Sequence, residues 1–326
     1  MPMIQLENVC KTFDVPQQSF FEKKKVVHAV NGIHLELFEG ESFGVVGESG
    51  CGKSTTGQLI VRLLKPTSGS INYKGRDIAT MNRKEMKQWR KEVQIVFQDP
   101  YSSLNPRKTV FSIVEEPLRI HRLGNTEQRR EKVSRVLQDV GIDDSFFQRY
   151  PHQLSGGQRQ RIAIASALVL DPSFIVIDEG VSALDVSVQA QILNVLKKIQ
   201  KQYRLTYLFI SHDLNVIQYF CDRIAVMYLG EIVEIIERQN VGKTPVHPYA
   251  KALFSAIPQV DQKGTLTLLK GEIPSPIDLP IGCKFSTRCP YVQETCLHEL
   301  PTLDQLANGN AVRCHFASSI QKGDIQ

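Results

Sequence analysis

The sequence predicts an α/β protein with a substantially parallel sheet, followed by an irregular, proline-rich extension. Three observations carry this. A strand-like stretch ending in Val45-Val46 runs into a glycine-rich loop and then a helix-prone segment, the order of a phosphate-binding βα unit. Short apolar runs, "VQIVFQ", "SFIVIDE" and "TYLFISHD", alternate with helix-prone stretches such as "VQAQILNVLKKIQKQY", as successive βαβ units do. Beyond about residue 238 the alternation gives way to "TPVHPY", "IPSPIDLP" and a group of cysteines.

The elements follow in order. "VHAVNGIHLELFEGESFGVV" mixes apolar and polar residues around the turn-like "FEG" and reads as strands. "TTGQLIVRLL" has helical spacing and is expected to stop before Pro66. "MNRKEMKQWRKE" is polar and helix-prone, "DPYSSLNPR" reads as a loop, and residues 111 to 170 look mainly helical.

Composition narrows the function classes. At 326 residues and 42% hydrophobic content, the chain can bury one large core or two smaller ones. Its longest uncharged, mainly apolar run, Ile162 to Leu170, is far too short to span a bilayer. The start, "MPMIQLENVC", lacks a basic segment followed by an apolar one, so the expected location is cytoplasmic. The net charge of +5 is scattered. Lys23-Lys24-Lys25 and Arg129-Arg130 read as solvated surface, and nucleic acid is not an expected partner.

Two loops have the composition of phosphate cradles. Gly47, Glu48, Ser49, Gly50, Cys51, Gly52, Lys53 and Ser54 match G-x-x-x-x-G-K-[ST], with Thr55 next in the helix. The glycines let backbone N–H groups converge on phosphate oxygens at a helix N-terminus. Lys53 is placed to reach the β- and γ-phosphates and Ser54 to bind Mg2+, while Cys51 fills a variable position. The second loop, Ser155, Gly156, Gly157 and Gln158, opens another helix. One loop suffices to hold a nucleotide, so the second is expected to serve another phosphate or the far side of one bound elsewhere.

"FIVIDE" presents Asp178 and Glu179 at the C-terminal end of a buried strand, where open α/β sheets bind ligands. Asp178 suits Mg2+ coordination and Glu179 suits the general base that polarises an attacking water. Gln98 ends "VQIVFQ" and is a candidate sensor of metal and water. His212 follows "TYLFIS" and is a candidate γ-phosphate contact, and Asp185 in "SALD" is a candidate bridge to another subunit.

Taken together, "GESGCGKST", Gln98, "LSGGQ", "FIVIDE", "SALD" and His212 resemble, in identity and order, the ATPases of ABC transporters over roughly residues 3 to 238. The resemblance implies a RecA-like core, an antiparallel β-subdomain and a helical signature subdomain at about residues 101 to 167, with ATP and Mg2+ as ligands. It also implies head-to-tail dimers in which Ser155, Gly156 and Gly157 cap the γ-phosphate of ATP held by a partner cassette. An adenine-stacking aromatic is implied after the first strand, where Phe13 in "VCKTF" fits; a core phenylalanine is the other reading. One departure stands out: Gly180-Val181 replace the Pro-Thr that follows the acidic pair in many members.

The second region, residues 239 to 326, resembles the C-terminal region of oligopeptide and dipeptide importer ATPases through "HPYAKAL" and "GCKFSTRCP", and "NPRKTV" fits the same branch. This implies a peripheral subunit on the cytoplasmic face of the membrane. It would power two permease subunits fed by an extracellular solute-binding protein, and often pair with a paralogous cassette. Peptides are the expected solute; nickel or another small solute is the alternative within the branch, and a non-transport ABC ATPase or a redox sensor outside it.

Cys283, Cys289, Cys296 and Cys314 are spaced C-x5-C-x6-C-x17-C, without the C-x-x-C pair of zinc knuckles. Four thiolates can hold an iron–sulfur cluster, a zinc ion, or remain reduced and buried; the importer resemblance favours 4Fe–4S. The segment is expected to be a structural staple outside the hydrolytic motifs, and His247 to shape a local turn.

Overall fold

A computed structural model describes residues 1–16, 24–99, 103–180, 185–256 and 271–325. Lys23 of the basic run, the start of the "PYS" loop, Val181 and residues 182–184 of "SALD" lie outside the described residues. The chain forms two compact units, one of Met1–Leu37, Phe43–Ala79 and His212–Gln326, the other of Phe38–Ser42 and Thr80–Ser211.

In the first unit, strand Ile4–Asp14 is flanked by antiparallel partners Val26–Leu37 and Ser68–Tyr73, with the short Arg76–Asp77 at the edge. Alternation sends Ile4 and Leu6 of the first strand into the core, and a bulge at Glu7–Asn8, with Asn8 at φ 48°, shifts the register so that Val9 turns inward as well. Separately, Phe43–Val46 runs parallel to Arg223–Tyr228. That strand turns back antiparallel into Glu231–Ile236, which pairs with Ala311–Val312 of the C-terminal region. The C-terminal region is thus hydrogen-bonded into this unit's sheet. A buried carboxylate adds to the hold: Glu234 accepts N–H bonds from Val246, His247 and the Asn310 side chain. This ties the loop before helix Pro248–Ser255 to the sheet, consistent with the rule that a buried charge is surrounded by donors. His247 caps that helix, its Nδ1 accepting from Tyr249 N–H, which is the expected turn-shaping role.

The helix after the first glycine loop, Lys53–Ile60, is shorter than its pattern suggests. Arg62 takes a left-handed conformation, and Leu63 N–H returns to the Gln58 carbonyl. That hydrogen bond closes the helix end before "VRLL" can extend it.

In the second unit, Val93–Val96, Phe174–Asp178 and Thr206–Ile210 lie side by side and parallel. All five residues of Phe174–Asp178 are buried, as in a strand covered on both faces. Helix Arg83–Glu92 leads in behind an Asn82–Glu85 capping box. Helices Val110–His121, Thr126–Asp139 and Gly156–Leu168 pack around Val114, Val133, Val136 and Ile162, all fully buried. Each such side chain contributes about 1.5–3 kcal/mol by its removal from water.

Candidate active site

The first glycine loop owes its path to its glycines. A Cβ on Gly47 would lie 2.2 Å from the Met227 carbonyl oxygen, and one on Gly52 2.1 Å from that of Ala29. Gly50 and Gly52 also hold positive φ, which a side chain would strain. The loop therefore sits pressed against neighbouring backbone and opens straight into helix Lys53–Ile60, whose first amide groups have no partner within the helix. Lys53 is only 5% exposed. Its Nζ donates to the carbonyls of Gly47 at 2.9 Å and Glu48 at 3.0 Å, which holds the ammonium inside the curl of the loop. Ser54 and Thr55 are half-buried in the first helical turn, and Ser49 and Gly50 are exposed at the loop crest. Cys51 is buried, and burial above all raises its thiol pKa, which Lys53 only partly offsets. That suits a packing residue.

Phe13 is 39% exposed, with Lys11 Nζ 5.0 Å from its ring centroid, so it is a surface aromatic and not a core residue. His212 is exposed just beyond strand Thr206–Ile210.

In the second unit, Asp178 is buried at the end of its strand. Glu179 follows at φ 49°, its N–H bonded to the Ile210 carbonyl at 2.8 Å. A left-handed conformation is uncommon outside glycine. Here it turns the carboxylate out of the strand line, where Gln98 Nε2 donates to Oε2 at 2.6 Å. The structure thus brings together two residues far apart in sequence. Gly180 is closely packed: a Cβ there would lie 2.8 Å from Gln160 Nε2 and 3.0 Å from the Ile177 side chain.

Ser155 is the N-cap of helix Gly156–Leu168. Its Oγ accepts from Gln158 N–H, and Gln158 Oε1 accepts from Ser155 N–H at 3.0 Å. The reciprocal bonds leave Ser155 exposed and fix the helix N-terminus behind it. Gly157 is in close contact, since a Cβ would lie 2.5 Å from Val188. Asp185, exposed, precedes helix Val186–Tyr203.

The cysteine segment, outside the hydrolytic motifs in sequence, touches the glycine loop in the folded chain. Arg288, next to Cys289, makes a two-pronged ion pair with Glu48 of the glycine loop: Nη1 to Oε2 at 2.9 Å and Nη2 to Oε1 at 3.2 Å. From helix Pro248–Ser255, Tyr249 Oη accepts the Glu48 N–H at 2.9 Å. Neither Arg288 nor Tyr249 stood out in the sequence, although both lie inside the quoted segments "GCKFSTRCP" and "HPYAKAL".

The four C-terminal cysteines are all free thiols. They line one pocket with His247 and Phe285, and Cys283 N–H bonds to the Cys296 carbonyl at 2.9 Å. Burial pushes the Cys283 thiol up to about 11 and the Cys289 thiol up to about 12. Among the described residues, no group of three or more histidines, cysteines or carboxylates is placed to hold a metal ion.

Comparison with known proteins gives the family. Residues 30–182 match the ABC transporter family, and residues 233–296 match the oligopeptide/dipeptide transporter C-terminal region. The oligopeptide transport ATP-binding protein AppF of Bacillus subtilis is 46% identical over 97% of this chain and 98% of its own length. The chain belongs to the ABC transporter ATP-binding family. This ABC ATPase is also 44% identical to the dipeptide transport ATP-binding protein DppF of Haemophilus influenzae, over 96% of each chain. Its fold matches a dimeric post-hydrolysis structure of the cassette MJ0796 bound to ADP and Pi, at 32% identity and TM-score 0.64. That match covers 72% of this chain and 99% of the other. An ABC ATPase of this family hydrolyses ATP with Mg2+. Among the described residues, no helix is long and apolar enough to cross a membrane.

Proposed function

We propose that this ABC ATPase powers peptide uptake, as one cassette of an importer with two permease subunits and an extracellular solute-binding protein. The observation that carries the reading is the pair of family matches, ABC transporter over residues 30–182 and oligopeptide/dipeptide transporter C-terminal region over residues 233–296, in a chain similar along nearly its whole length to named peptide transporters; the cassette is taken as residues 1–238 and the extension as residues 239–326. The cassette would work peripherally at the cytoplasmic face, paired with a paralogue or with a second copy.

In this reading Gly47 to Thr55 hold the phosphates, with Lys53 placing its charge on them. Phe13 offers its exposed face to the adenine. Ser54, Asp178 and Gln98 are the residues that would hold Mg2+, which would supply positive charge against that of the phosphates. Glu179 takes the proton of the attacking water, while its hydrogen bond to Gln98 fixes the carboxylate's direction. His212 contacts the γ-phosphate. Ser155, Gly156, Gly157 and Gln158 present their helix N-terminus to ATP held by the partner cassette, and Asp185 bridges to that partner. Cys283, Cys289, Cys296 and Cys314 are the residues that would hold a 4Fe–4S cluster. All four line one pocket, although as they stand the thiols are not placed to ligate a metal, and the cluster's part would be structural.

Reconstitution into liposomes with the permease and binding protein tests the function. ATP hydrolysis is expected to rise on adding peptide-loaded binding protein, with peptide accumulating inside. Stimulation by a non-peptide solute alone would reassign the cargo.

A further inference from the structure

Reading Gly47–Ser54 as the ATP site leaves Glu48 to be explained. A carboxylate sits second in a loop that must receive a polyanion, and repulsion there works against binding. The structure shows what answers it. Both Glu48 oxygens are taken by Arg288, whose side chain is 6% exposed against 24% for Glu48. A fork-to-carboxylate pair fixes direction as well as charge. The same residue is held from its backbone by Tyr249 Oη. Behind the pair lies an aromatic wedge. Phe285 packs edge-on against Tyr228, at 5.3 Å between ring centroids, and tilted against Tyr249 at 5.5 Å. Arg288 and Phe285 both belong to the stretch between Cys283 and Cys289, so one short loop supplies the guanidinium and the ring that seats its neighbours.

We propose that Arg288 is a positioning residue for the P-loop: it fixes Glu48 and cancels its charge, and thereby sets the affinity of the site for nucleoside polyphosphates. The proposal rests on the reading of Gly47–Ser54 as the ATP site. It requires the loss on removing Arg288 to grow with the charge of the ligand. It also requires the loss to be reversed by neutralising Glu48, because the unpaired carboxylate is then the cause. A residue serving only to hold the fold would show neither.

The test is nucleotide affinity of the full chain, read by calorimetry with ATP, ADP and adenosine. Arg288→Ala is expected to weaken ATP about tenfold and ADP less, leaving adenosine within about twofold. Adding Glu48→Gln to Arg288→Ala is expected to restore ATP affinity to within about threefold, a coupling that a double-mutant cycle isolates. Arg288→Lys keeps the charge without the fork; an intermediate loss is expected, and it serves the same comparison should Arg288→Ala fail to fold. Unchanged ATP affinity in Arg288→Ala would overturn the proposal. So would equal losses for all three ligands with no rescue by Glu48→Gln, which would make Arg288 a fold residue only. Lys53→Ala separates the underlying reading: if it binds ATP as tightly as the parent, the site is elsewhere and the inference falls with it.

Discussion

Gln98 Nε2 donates a 2.6 Å hydrogen bond to Glu179 Oε2, so the candidate base is oriented from just beyond the neighbouring strand Val93–Val96. Glu179→Gln keeps shape and hydrogen-bonding capacity but loses the ability to take a proton. It is expected to bind ATP normally and to slow turnover by roughly 10²-fold or more, a typical general-base contribution. Phosphate release in the assembled transporter measures it. Near-normal turnover would remove Glu179 from that role.

Ser155 stands exposed at a capped helix N-terminus, and the proposed role lies on another subunit's nucleotide. Ser155→Arg is therefore expected to leave ATP affinity of the separate chain within about twofold, while blocking ATP-driven pairing of cassettes. Lys53→Ala is expected to lose ATP at its own loop. In a mixed dimer with one change per subunit, both defects fall on one composite site, so one ATP per dimer remains bound. Loss of both nucleotides would contradict a shared site.

Much of this site was legible because its signals are local. A strand, three constrained glycines and a helix follow one another in Val45 to Ile60, and the buried run Phe174–Asp178 announces its two carboxylates directly. What escaped was long-range. Glu48 and Arg288 are 240 residues apart, and no periodicity links a loop carboxylate to an arginine in an irregular segment. Glu234 escaped for the same reason: its alternation reads as an ordinary strand, and only the folded chain shows three donors converging on it. The early end of helix Lys53–Ile60 was hidden because Arg62 adopts a left-handed turn without the glycine that usually signals one.

Cys51 gives a pH-dependent test. Burial, its largest influence, raises the thiol pKa above the ordinary value. The reactive thiolate is therefore scarce at pH 7 and grows as pH rises. Inactivation by N-ethylmaleimide through this residue is expected to be slow near neutrality and to accelerate about tenfold per pH unit until the thiol titrates. Cys51→Ser is expected to stay active and to lose that pH-dependent phase. Rapid Cys51 labelling at pH 6 would contradict a raised thiol pKa.

The cysteine pocket gives the last test. Cys283 and Cys289, raised by burial to about 11 and about 12, stay protonated at neutral pH unless a metal takes the place of the protons, so loading releases protons and tightens as pH rises. Protein made without oxygen is expected to carry iron and sulfide at about four each per chain, with visible absorption that air bleaches. Cys289→Ser is expected to lose that absorption and to melt at least several degrees lower, because the loop from Cys283 to Cys289 then has no common anchor. Arg288 immediately precedes Cys289, so ATP affinity of the variant is expected to fall in the same direction as in Arg288→Ala. Stoichiometric zinc in the anaerobic protein would replace the cluster with a single ion. A metal-free chain of unaltered stability would leave the four thiols as packing residues.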